Sequence, residues 1–103
     1  MKNKVICYGI NTIQQAEVII KESIKNNILP IFFIKHYIVK GFGVEWVEAL
    51  QSLLNSYKKS KYKLYIDTNR DYGMAINLIK AKVEYIRLKS DPMIIKKIYL
   101  GEK

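Results

Sequence analysis

Asp67 closes an apolar run and is followed at once by Thr68, Asn69, Arg70 and Asp71. An acid that ends a strand can move a proton or hold a cation, or it can brace the next turn. Asp71 stands four residues beyond Asp67, close enough for two carboxylates to meet across a turn. Divalent cations prefer such oxygens, but this is no defined ligand spacing, and no metal is expected. The single histidine, His36, follows Lys35 directly after another apolar run. No nucleophile motif accompanies it. Arg87 and Lys89 end a further apolar run. Asp67, Asn69, Arg70, Lys35, His36, Arg87 and Lys89 are therefore the candidate ligand-binding residues, suited to a small anionic, phosphorylated ligand. No reaction class and no cofactor is designated by them.

Lys40-Gly41-Phe42-Gly43 could offer backbone N–H groups and a lysine to a phosphate, but it lacks the trailing Lys-Ser/Thr of a P-loop. It reads better as a turn or hinge. The stretch containing it, residues 36–43, reads as a loop longer than a routine strand-to-helix link. Its apolar Tyr37, Ile38, Val39 and Phe42 point to a lid or a subunit contact.

The elements that must position these residues follow from hydrophobic periodicity. Val5–Ile10 reads as a first strand, and Asn11 and Thr12 as alternative N-caps with a glutamine three residues on, the capping-box spacing. Ile13, Ala16, Ile20 and Ile24 mark a helix that Asn26-Asn27 ends. Ile28–Ile34 is a second strand, and Pro30 near its start places it at the sheet's margin. Val47, Leu50, Leu54 and Tyr57 mark the next helix, flanked by Trp46 and Leu53. Tyr62–Asp67 is a third strand, Ala75, Leu78 and Ile79 mark another helix, and Val83–Leu88 is a fourth strand. Ser90-Asp91-Pro92 opens a last helix, with a capping residue ahead of proline.

Strands alternating with helices imply one α/β domain, residues 1–103, of four strand–helix units around a parallel sheet. Strands three and four alternate in character: Lys63, Tyr65 and Asp67 oppose Leu64 and Ile66, and Tyr85 and Arg87 oppose Ile86 and Leu88. With Tyr8 of the first strand assigned to the tyrosine-rich side and Cys7 to the aliphatic one, a single face suits helices. A half-barrel is therefore expected ahead of a doubly wound, flavodoxin-like sheet, whose strands would be apolar on both sides.

Gly41, Gly43 and Trp46, then Ile66-Asp67 and Gly73, carry a resemblance. Over nearly its whole length the chain resembles a small uncharacterised bacterial family of half-barrel proteins of about this size. That family places a cysteine after the strand-three aspartate and an acid three residues later, where this chain has Thr68 and, one residue further on, Asp71. The resemblance implies a fold and no activity.

The net charge of +9 would ordinarily indicate an acidic partner. Only Arg70 and Arg87 supply the planar fork suited to phosphate or guanine, so nucleic acid is an alternative and not the favoured partner. Many lysines fall in or just beyond final helical turns, where they offset the helix dipole. The lone Cys7 excludes an intrachain disulfide, the first apolar run is too short for a signal-peptide core, and no run spans a bilayer. The expectation is a cytoplasmic protein that self-associates as a homodimer or higher homo-oligomer. Its contact would use Tyr8, Tyr65 and Tyr85 on the uncovered sheet face, and the Tyr37–Phe42 stretch. A binding module for a small anion at the strand ends and an RNA-binding protein are the alternatives.

Overall fold

A computed structural model describes residues 4–89. Within them lie four strands and four helices, two of the helices in succession between the second and third strands: β1 (Lys4–Gly9), α1 (Ile13–Lys25), β2 (Ile28–Ile34), α2 (His36–Phe42), α3 (Val44–Asn55), β3 (Lys63–Asp67), α4 (Tyr72–Lys80) and β4 (Tyr85–Arg87). The protein is an α/β domain whose strands form one parallel sheet in the order β1-β2-β3-β4. The helix expected from Ser90 onward lies outside the described residues.

Thr12, of the two capping residues considered, starts α1. Its hydroxyl accepts from the Gln15 N–H at 3.1 Å, while Gln15 Oε1 accepts from the backbone N–H groups of Asn11 and Thr12. Asn26 caps the other end, and Asn27 turns the chain through a φ of 56°. Asparagine tolerates this left-handed conformation better than most residues.

The core lies between the helices and one face of the sheet. Phe32 and Ile34 of β2, Leu64 and Ile66 of β3, Ala16 and Ile20 of α1, and Val47, Leu50 and Leu54 of α3 are all buried. On the other face, Val5 and Cys7 are exposed, Leu29, Ile31 and Phe33 are half-buried, and Tyr65 and Arg87 are exposed.

Four expectations need correction. Residues 36–43 are not a loop: His36–Phe42 form a seven-residue helix, α2, and Gly43 joins it directly to α3. Two turns are too short to display a helical repeat, and paired β-branched residues read as loop or strand. In consequence Ile38 and Val39 are core residues and not a contact surface, while Tyr37 and Phe42 remain exposed. Second, β2 is not marginal but interior. Proline is accommodated because β3 begins pairing only at Ile31, leaving Pro30 with a strand neighbour on the β1 side alone. Third, Tyr8 pairs with the buried Phe32, so it lies on the covered face, away from Tyr65 and Tyr85. Fourth, Cys7 consequently points to the open face and is exposed. Both reversals share one cause, since side chains alternate strictly along a strand and register decides which set faces the helices.

Candidate functional site

Parallel sheets bind ligands beyond the carboxyl ends of their strands, and adjacency of β2, β3 and β4 brings most of the sequence candidates to one rim. They fall into two clusters. In the first, Asp67 pairs in register with Arg87, whose guanidinium nitrogen stands 4.0 Å from Asp67 Oδ2. The other carboxylate oxygen accepts from the Asn69 N–H at 2.9 Å, a local turn that braces the strand end. Asn69 itself has a φ of 53° and accepts from the Lys89 N–H at 2.7 Å. Arg87 is largely solvated, so the pair contributes little to stability.

Between these residues Thr68 is fully buried. Its N–H and its hydroxyl both donate to the Arg87 carbonyl at 2.8 Å, tying β3 to the three-residue β4. The sequence places Thr68 at the strand end but shows no role for it, because a threonine after a strand resembles any turn residue.

The second cluster joins α2 to α4. His36 opens α2, and its Nε2 lies 3.4 Å from Asp71 Oδ2. Asp71 Oδ1 accepts from the Met74 N–H at 3.0 Å and caps α4. This backbone hydrogen bond, opposed by partial desolvation and aided by His36 and Lys40, holds the Asp71 carboxyl below the usual carboxylate range. The two acids thus turn to different partners. Asp71's capping role was legible in principle, because an acid immediately before an apolar helical run is a common N-cap.

Lys35 lies over the ring of Tyr37, its ammonium 6.0 Å from the centroid, and Arg70 is exposed. Lys35, Lys40, Arg70, Arg87 and Lys89 outnumber Asp67, Asp71 and Glu45 of the first turn of α3, so the rim carries a net positive charge. Among the described residues no three histidine, cysteine or acidic side chains gather in a metal-binding arrangement, and no helix is long and apolar enough to cross a membrane.

The open sheet face carries the other candidates. Tyr65 and Tyr85 are in register on β3 and β4, with rings stacked 4.4 Å apart at an angle of 4°. The Lys63 ammonium stands over Tyr85, 5.5 Å from its centroid. Each tyrosine spends one ring face on its neighbour, and that face is closed to a stacking base. Beside them run the apolar side chains of Phe33, Ile31, Leu29 and Val5. Phe42 of α2 stacks on Trp46 of α3 at 5.7 Å, and the pair borders a depression with Asn11–Gln14.

No family model, curated protein or solved structure matches the chain.

Proposed function

We propose that the protein is a self-associating (βα)4 half-barrel, an interaction module that docks a second copy of itself on the open face of its sheet. The observation carrying this reading is that face: Val5, Leu29, Ile31, Phe33, Tyr65 and Tyr85 form a contiguous band that no described helix covers. Uncovered apolar surface of this kind marks an interaction site. Tyrosines suit such a contact because each buries a large ring while its hydroxyl keeps a hydrogen-bond partner.

The half-barrel arrangement is supported by strands that follow one another in sequence and in space, with the fully buried strand side chains facing the helices and no described helix on the other side. The flavodoxin-like alternative reverses strand order at a switch point and covers both faces. A two-fold contact is the commonest closed association, and about 800 Å² buried per subunit would make it stable. The exposed thiol of Cys7 fits a reducing, cytoplasmic setting.

Sedimentation equilibrium at low micromolar concentration tests the reading. Twice the chain mass, persisting at high salt, is the expected result, because apolar contacts resist screening. A monomer at every concentration would overturn it.

A further inference from the structure

The amino-terminal end of the sheet, opposite the rim described above, holds a cavity of about 260 Å³ between the end of α1, the start of β2 and the α3–β3 link. Its polar lining is Ser23, Asn27, Lys59 and Lys61, with Ile24 and Leu29 among the apolar walls, and no acid lines it.

Two independent features there lack a structural explanation. Ser23 is 1% exposed, and its hydroxyl has no hydrogen-bond partner among the described residues. A serine inside a helix ordinarily returns its hydroxyl to a carbonyl one turn back, and a buried hydroxyl without any partner is uncommon and destabilising. The lysines are the second feature. Compensation of the helix dipole accounts for Lys25 and Lys80, which lie in the last turns of α1 and α4. It does not account for Lys59 and Lys61, since α3 ends at Asn55 with no basic residue in its last turn, and the dipole's effect fades beyond that turn.

We infer that this cavity binds a small oxyanion of the phosphate type, free or as a monoester. Ser23 can donate its hydroxyl hydrogen, Asn27 its amide hydrogens, and the two ammonium groups act as point charges against the anion. No carboxylate lines the cavity, and the two lysines outweigh the partial negative charge at the end of α1. The site shares the Leu29 side chain with the sheet face proposed for self-association, but its polar groups, Ser23, Asn27, Lys59 and Lys61, lie outside that band, and the inference does not rest on self-association.

A titration of the full chain with inorganic phosphate, followed by amide nuclear magnetic resonance, tests the inference against potassium chloride at equal ionic strength. Saturable shifts centred on residues 23–28 and 59–61, absent with chloride, are expected. Ser23→Ala should weaken phosphate binding about fivefold, the loss of one hydrogen bond, and Lys61→Gln about tenfold. Ser23→Ala removes a hydroxyl without a partner and should keep the fold, and Lys61 is exposed, so its substitution provides a second folded variant. A parallel titration with glycerol phosphate distinguishes the ester from the free ion, and tighter binding of either supports the site. Shifts that are unsaturable and spread over every lysine-rich segment would overturn it. So would saturable shifts that neither substitution weakens.

Discussion

Tyr65 and Tyr85 lie on neighbouring strands in register, and their rings stack within 4.4 Å on the face of the sheet that no described helix covers. Aromatic pairs of this kind are worth about 0.5–1.5 kcal/mol beyond the area they bury. The pair therefore fixes two large rings as one unit at an uncovered surface. Tyr65→Lys should dissociate the oligomer, because it removes a ring and sets a charge against the mate's equivalent surface. Tyr65→Phe, which keeps the ring, should leave the mass unchanged. Light scattering on both variants reads the outcome, and an undisturbed mass with lysine would move the contact to the exposed Tyr37 and Phe42.

The reciprocal cap at the start of α1 gives a stability prediction independent of association. Thr12→Ala should lower stability by about 1 kcal/mol, which for a domain of this size is roughly 4–8 °C in Tm. Gln15→Ala should cost less, because it leaves the Thr12 hydroxyl bonded to the residue-15 N–H. The double variant should fall short of the sum, since both residues serve one box. Thermal melts of the three variants check this, and strict additivity would show that the two halves act separately.

The sequence made the alternation of strands and helices plain, because β2, α1 and α3 carry strong periodic or continuous apolar patterns. Ile28–Ile34 was recognisable to the residue. What it could not settle was which way the first strand faces. Val5, Ile6, Cys7 and Tyr8 are apolar enough to serve on either side, and only pairing with Phe32 decides that Tyr8 faces the helices. The short α2 was equally hidden, since seven residues give a single helical contact with the core through Ile38 and Val39. At the rim, residue types alone brought Asp67 and Arg87 into view. The His36–Asp71 contact spans 35 positions in the chain and depends on α2 being a helix.

Asp71 makes the fold sensitive to acid in a defined window. Its carboxyl titrates below the ordinary value of 3.8 in the folded chain, chiefly through the Met74 N–H. A lowered pKa means that its contribution is complete above the unfolded value and is lost as pH falls through the folded one. Asp71→Asn can still cap α4 but cannot titrate. The Tm gap between wild type and this variant should be open wherever the carboxyl is ionised and should close as the pH falls below about 4. Melts from pH 7 to pH 2 measure it, and a gap that stays constant through the acid range would assign the stabilisation to something other than the charge.

Gly43 and Gly41 sit two residues apart and should respond in opposite directions to the same substitution. Gly43 joins α2 to α3 with φ 90° and ψ 171°, a region essentially restricted to glycine. A Cβ built there would also stand 2.9 Å from Glu45 Oε2. That side chain can swing away, so the backbone supplies most of the cost, and Gly43→Ala should destabilise by about 1–3 kcal/mol. Gly41 lies inside α2, is exposed, and has nothing within 4 Å of its added Cβ. Alanine there lowers the entropy of the unfolded chain without strain, and Gly41→Ala should stabilise by about 0.5–1 kcal/mol. Urea titrations of the two variants separate the effects through their midpoints at constant slope. Stabilisation by Gly43→Ala would mean that the α2–α3 junction does not hold the conformation that makes His36–Phe42 a helix. The His36–Asp71 contact would then lose its support.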